Sequence, residues 1–282
     1  LKDKINTLWR DVDWNAHVKN DALMWHWSPN AEHEWADGLP INGWNECLIT
    51  YVMAASSPTH GISRSVYEKG WTQGAQFDNG DEYYGIKLPR GPEKGGPLFL
   101  SQYSFLGLDP KGLSDGQVDY FEQNRNHTLI NRAHCIENPN GFKGYNNKCW
   151  GLTASENHEG YNAHSPTHDQ GVIAPTAALS AFPFTPAESM QALRYFYEER
   201  KDDLWGEFGF KDAFSDEHNW VAKSNLAIDQ GPIIAMIENH RSGLLWNLFM
   251  SCPEIKLGLN KLGFTSPHIG QALKLDPKIK LG

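Results

Sequence analysis

The sequence predicts an all-α architecture, a toroid of helical hairpins with its site at one end, and three observations carry that reading. The apolar runs have the length and the period of buried helices. Between them lie long segments rich in Gly, Pro, Asn and aromatic residues, as loops decorating one rim of a ring would be. Neither an internal repeat nor a low-complexity stretch interrupts the 282 residues, so one domain accounts for the chain.

Taken in order, Leu1 to Ala16 reads as an amphipathic helix with Ile5, Leu8, Trp9 and Val12 on one face. A chain that opens inside such a helix is expected to be preceded by more sequence. Gly43 to Ser56 is a mostly apolar helix that must stop before Pro58. Asn79-Gly80, inside Asp78-Asn79-Gly80-Asp81 and flanked by Phe77 and Tyr83, predicts a hairpin turn. The acids there lack the ligand order of a calcium loop. Pro97 to Leu106 reads as a short buried helix. Ser114 to Glu137 carries Val118, Phe121, Leu129 and Ile130 in a longer pattern. Thr185-Pro186-Ala187-Glu188 is a capping box with proline at the first helical position, opening a helix to about Lys201. Asp229 to Ser251, with Ile233, Ile237, Leu244 and Leu248, is another buried helix, closed by Pro253.

Composition removes several functions. The net charge of −9 comes without a Lys/Arg-rich block, which argues against a nucleic-acid partner. No apolar run reaches the length of a membrane span, and no signal peptide is visible from Leu1 onward. The four cysteines, Cys47, Cys135, Cys149 and Cys252, lack C-x-x-C spacing, and Cys47 and Cys252 read as buried free thiols in apolar helices. His164 and His168 are four apart, but Pro166 between them predicts loop, so no metal is expected. There is no nucleophile elbow, P-loop or dinucleotide fingerprint.

The eleven tryptophans exceed what a core needs, and several sit beside Gly, Asn, Pro or Ser. Trp25-His26-Trp27-Ser28-Pro29 is dense in rings, and Trp44-Asn45-Glu46 heads an apolar run. A carboxyl at the mouth of a buried helix, beside indoles, suits a sugar-cleaving site: the rings stack on pyranose faces and dry surroundings raise the carboxyl pKa. Glu46 could equally be a helix-start carboxylate bonded to free amides. Asp229 repeats the arrangement in Leu226-Ala227-Ile228-Asp229-Gln230-Gly231-Pro232, where helix N-cap is the plain alternative. Two acids presented alike from distant segments form a plausible carboxylate pair. Trp150-Gly151-Leu152-Thr153 and Gly160-Tyr161-Asn162-Ala163-His164 read as loops presenting polar and aromatic groups, or as loops packed on themselves. Asp202, Asp203, Asp216 and Glu217 read as solvated surface.

Trp25-His26-Trp27-Ser28-Pro29, Gly43-Trp44-Asn45-Glu46-Cys47-Leu48-Ile49, Ala54-Ala55-Ser56-Ser57-Pro58-Thr59-His60, Tyr103-Ser104-Phe105-Leu106-Gly107-Leu108-Asp109, Cys149-Trp150-Gly151-Leu152-Thr153-Ala154 and Ala227-Ile228-Asp229-Gln230-Gly231-Pro232 resemble the glucoamylase-like domain of glycoside hydrolase family 144, bacterial endo-β-1,2-glucanases. The similarity runs in order from Leu1 to about Phe264. It implies a catalytic domain over 1–264 with a tail at 265–282, and an (α/α)6 toroid of which this chain supplies about the C-terminal two-thirds. The family's first helices have no counterpart, so a missing N-terminal segment or chain is expected to complete the ring. The resemblance further implies inverting hydrolysis of β-1,2-glucan to sophoro-oligosaccharides, no cofactor, and export to the periplasm or cell surface. On it, Glu46 is the proton donor and Asp229 the base or site-organising acid. The residues expected on the substrate are Trp25, His26, Trp27, Trp44, Asn45, Tyr103, Trp150, Thr153, Tyr161 and His164. Two alternatives stay open: a toroidal polysaccharide lyase using Tyr103, Asn45 and His164, and a glycan-binding module without turnover.

Overall fold

A computed structural model describes residues 1–27 and 38–269. Among the described residues, ten α-helices carry the architecture: α1 Lys2–Asp11, α2 Leu48–Ser56, α3 Arg64–Tyr67, α4 Tyr120–Glu137, α5 Pro175–Leu179, α6 Pro186–Arg194, α7 Lys201–Leu204, α8 Ala227–Ser242, α9 Leu244–Ser251 and α10 Pro253–Leu262. The strands are short and antiparallel. β1 Val18–Lys19, β2 Ala22–Met24 and β3 Pro40–Ile41 form a three-stranded sheet with β2 in the middle. The other pairs are β4 Glu82–Tyr83 with β5 Ile86–Lys87, β6 Ala154–Glu156 with β7 Tyr161–Ala163, β8 Trp205–Gly206 with β9 Gly209–Phe210, and β10 Phe214–Ser215 with β11 Trp220–Val221. These hairpins ornament the loops that the sequence marks as Gly- and Asn-rich. The expected helical class holds, and the described residues by themselves do not close a ring.

Several boundaries differ from expectation for identifiable reasons. The first helix stops at Asp11, because the Asp13 carboxylate accepts from the Ala16 amide and folds 13–16 into an Asx turn. None of its residues is buried, and Ile5 and Leu8 are exposed. The second begins at Leu48 with Cys47 as N-cap. Pro97 to Leu106 forms two 3-10 turns, Leu98–Ser101 and Ser104–Leu106, in place of one helix. The hairpin near residue 80 turns at Tyr84-Gly85, both at positive φ, while Asn79 and Gly80 lie in its flank, donating to the carbonyls of Pro89 and Leu88. Thr185 stands at the N-cap of α6, but its side chain makes no capping bond. Its hydroxyl turns back to the Ala181 carbonyl, which also takes the Phe184 and Thr185 amides, and meets Ser189 Oγ. Gly243, left-handed at φ 68°, divides the run 229–251 into α8 and α9. Pro253 sits at the first position of α10, opening that helix. Cys252 therefore lies exposed at a helix junction, and Cys47 is half-buried, instead of both being core thiols.

Two large apolar clusters and a small third one around Val172, Ala174 and Ala213 hold the described residues together. The first joins α2 and α10 to Trp44, Trp71, Phe77, Tyr120, Trp246 and Met250. Gly258 lets α10 lie directly on α2, since a Cβ there would come within 2.6 Å of the Val52 carbonyl oxygen. The second surrounds Trp150, Ala177, Phe196 and Phe214. Helix α8 belongs to both, giving Met236 to the first and Ile233 to the second. Its C-terminal end is fastened by the buried Asn239, whose amide donates to the Leu106 carbonyl and whose oxygen accepts from Leu245 and Trp246 at the start of α9. A helix locked into two cores is a rigid platform, and its first turn carries Asp229.

Candidate active site

Asp229 is 1% exposed. Three residues later stands Pro232, which has no N–H to give to the carbonyl of Ile228. That orphaned carbonyl and the Asp229 carboxyl receive the same donor: Tyr103 Oη lies 3.4 Å from Ile228 O and 3.4 Å from Asp229 Oδ1. From the other side Tyr161 Oη donates to Asp229, at 3.2 Å from Oδ1 and 3.3 Å from Oδ2. Tyr161 opens β7, where it pairs with Glu156 of β6, so the hairpin sets its reach. The proline inside the helix, silent as a motif, is thus part of the site's construction.

A fourth group joins them. Asp212, just before β10, is fully buried, and its Oδ2 accepts from the Glu156 amide at 2.7 Å. Glu156, whose amide it takes, pairs across β6 and β7 with Tyr161, the residue that donates to Asp229, so the two acids interact across one hairpin. Burial first, then the charge of Asp212, pushes the Asp229 pKa up to about 7, against the pull of Tyr161 and Tyr103. Burial likewise raises Asp212, opposed by the Glu156 amide. Sequence reading passed over Asp212, yet one signal was there: an acid enclosed in Phe210-Lys211-Asp212-Ala213-Phe214, where its neighbours are core residues.

Glu46 is half-buried two residues before α2 begins. Ser104 clasps its segment, donating from Oγ to the Glu46 carbonyl while accepting from the Ile49 amide at 3.0 Å. The clasp brings Glu46 beside Tyr103, whose hydroxyl is raised by burial and then by the charges of Asp229, Tyr161 and Glu46. Desolvation raises the Glu46 carboxyl, partly offset by its own backbone. Upstream, Gly43 has φ +71°, and a Cβ there would fall 1.7 Å from the Ala75 carbonyl oxygen, so only glycine lets the Trp44-Asn45-Glu46 turn pass so close to the chain at 74–75.

Of the expected residues, Tyr103, Tyr161 and Asp229 are joined by hydrogen bonds, and Glu46 lies in the segment clasped by Ser104, next to Tyr103. Others do not join them. Trp44 is a core residue, stacked on Tyr120 at 5.9 Å and packed against Trp71 and Phe77. Trp150 is fully buried in the second cluster. Asn45 spends its amide locally, accepting from the Cys47 amide and donating to the carbonyls of Asn42 and Gly43. Thr153 is buried and accepts from the Phe99 amide, steadying the turn whose Phe99 ring stacks on Tyr103. His164 is fully buried, with no partner among the described residues on either ring nitrogen, and burial lowers its pKa to about 4. Trp25, His26 and Trp27 are exposed beyond β2, and Ser28-Pro29 fall outside the described residues. Asp202 and Asp203 are exposed as expected, whereas Asp216 and Glu217 are partly buried in ion pairs with Arg200 and Lys143.

The family model described as Glycoamylase, "Putative glucoamylase", matches residues 38–253. The chain is similar to the crystal structure of a "putative glucoamylase" from Bacteroides uniformis, with TM-score 0.92 and 59% identity, over 94% of this chain and 65% of that one. It is also similar to the endo-β-1,2-glucanase from Chitinophaga pinensis in complex with sophorotriose and glucose, with TM-score 0.90, 50% identity and the same shares, 94% and 65%. In sequence it is 42% identical over 284 residues to an exo β-1,2-glucooligosaccharide sophorohydrolase (non-reducing end) of Parabacteroides distasonis, covering 93% of this chain and 39% of that protein. The chain thus spans just under two thirds of those two crystallised proteins and about two fifths of the sophorohydrolase. Its fold is theirs, in agreement with the expected α/α toroid.

Proposed function

Because this chain belongs to the Glycoamylase family, the family its motifs resemble, we propose that it is a glycoside hydrolase acting on β-1,2-linked glucan with inversion. The observation that supports the reading is Tyr103, which bonds Asp229 and stands next to Ser104, the residue that clasps the Glu46 segment. The substrates printed for the C. pinensis and P. distasonis relatives support the linkage. Glu46 gives its proton to the glycosidic oxygen as the C–O bond breaks. On the opposite face Asp229 draws a proton from water, whose oxygen bonds to the anomeric carbon. A Glu raised by desolvation suits the first task, and a carboxyl titrating near 7 suits the second.

Elimination is the weaker reading. Tyr103 is held protonated by burial and by its acidic neighbours, which makes it a poor base. The other two residues a lyase would recruit, Asn45 and His164, stand in a local cap and in the buried interior. Among the described residues no helix is long and apolar enough to cross a membrane. Export to the periplasm or cell surface accords with the family resemblance, and cell fractionation tests it. The function itself is tested by release of reducing ends from linear β-1,2-glucan, with starch as control. Release from the former alone supports the reading, and release from starch alone, or an ultraviolet-absorbing unsaturated product, overturns it.

A further inference from the structure

The carboxyl that no motif singled out has an unusual set of partners. Asp212 is fully enclosed; its Oδ2 takes the Glu156 amide, and its Oδ1 has no amide, hydroxyl or amine donor. Glu156, which supplies that amide, pairs across β6 and β7 with Tyr161, and Tyr161 donates to a second enclosed carboxyl, Asp229. Two buried carboxyls that feel one another through such a hairpin cannot both carry charge without strong repulsion, and a single proton shared by the pair relieves it. The surroundings say which one keeps the charge-free form. Asp212 has a fixed amide donor, which favours its anion. The groups facing Asp229 are Tyr103 from the turn before Ser104, Tyr161 from β7, and Asp212 itself, with Glu156 beyond Asp212 and Glu46 beyond Tyr103.

We propose that Asp212 is a positioning residue that shares one proton with Asp229 and is the final acceptor of the proton drawn from the attacking water. The inference rests on the reading of Asp229 as the carboxyl on the water side. In the resting pair Asp229 holds the proton and Asp212 is ionised. As the water oxygen bonds to the anomeric carbon, the O–H bond breaks and its proton goes to Asp229. The proton that Asp229 held passes to Asp212. The glycosidic C–O bond breaks, and its electron pair takes the proton of Glu46. The pair ends neutral with two protons and Glu46 ends ionised, so return of one proton from the pair to Glu46 through solvent restores the start. Asp212 never touches the sugar, yet without it Asp229 has nowhere to pass its proton.

The test is a pH titration of the carboxyl carbons of Asp212 and Asp229, followed by NMR in protein labelled with carbon-13 aspartate. In the wild type both signals should move together in two steps, one of them near pH 7. In Asp212→Asn the amide still accepts from Glu156 and can donate to an ionised Asp229, so the Asp229 midpoint should fall by about one pH unit or more. The same substitution should lower kcat by about 10²- to 10⁴-fold with little change in KM, and Asp212→Glu should restore coupled titration. Independent titration of the two wild-type signals overturns the proposal, and so does an unmoved Asp229 midpoint in folded Asp212→Asn. The wild-type arm needs no variant to fold and no turnover. Coupled carboxyls in a protein inactive on β-1,2-glucan would overturn the proposed function and keep the pair; uncoupled ones in an active protein would do the reverse.

Discussion

Replacing Asp229 by asparagine should raise stability above neutral pH while it abolishes hydrolysis. In the folded protein the carboxyl titrates at about 7, against an ordinary value of 3.8. The folded state therefore holds its proton more tightly than the unfolded chain does. Between about pH 4 and pH 7 the folded state keeps a proton that the unfolded chain has lost, so stability falls as pH rises through that window. The deficit is complete above about 7. At ~1.4 kcal/mol per pH unit the whole difference corresponds to roughly 4 kcal/mol, a ceiling. Asparagine carries no charge, can still accept from Tyr161 and Tyr103, and can donate to Asp212. A gain of about 2 kcal/mol at pH 8 is the realistic expectation, equivalent to a rise of about 4–8 °C in Tm for a chain of this size. Near pH 4 the protonated aspartate already resembles asparagine, and the two proteins should melt together. Calorimetry of wild type and Asp229→Asn across this range isolates the Asp229–Asp212 pair, because the titrating groups outside it are common to both. Parallel curves, or a variant less stable than wild type at pH 8, would refute the account of a buried, charge-strained carboxyl. A gain in stability with loss of activity is what a functional charge held against its environment should show.

Other consequences reach different parts of the molecule. Tyr161→Phe removes a donor that lowers the Asp229 pKa, so the Asp229 midpoint followed by NMR should move to higher pH, with activity down by about 10- to 100-fold. Asn239→Ala leaves the Leu106 carbonyl and two α9 amides without their partner, and urea unfolding should show a loss of about 2–3 kcal/mol. Trp44→Ala empties a core site and should cost about 3–5 kcal/mol, whereas exposed Trp27→Ala should leave stability within about 0.5 kcal/mol.

What was legible in the sequence follows from how local each cause is. The apolar runs in α2, α8 and α9 announce themselves because a buried helix needs them, and Glu46 and Asp229 stand out as acids at their mouths. Turn chemistry is less reliable when two candidates compete: Asn79-Gly80 is the stronger dipeptide, but Tyr84-Gly85 took the hairpin and left the other in its flank. Thr185 does start its helix, but the box failed in its side chain, whose hydroxyl bonds back to the Ala181 carbonyl and Ser189 Oγ instead of the helix amides. Trp44 and Trp150 read like cleft residues from their polar neighbours, yet burial depends on what packs opposite, which in these cases is sequence-distant. Asp212 is the extreme case. Its role depends on a β-hairpin amide at Glu156 and a carboxyl on α8, and nothing adjacent in sequence encodes either.

The central claim is that Glu46 and Asp229 act as acid and base on opposite faces of a β-1,2 linkage. Proton NMR of the reducing end released first from linear β-1,2-glucan tests it most directly, with Glu46→Gln run beside the wild type. The account predicts the α-anomer first, and a loss of at least about 10²-fold in rate on substitution. A β-anomer appearing first, or an undiminished rate in Glu46→Gln, would contradict it.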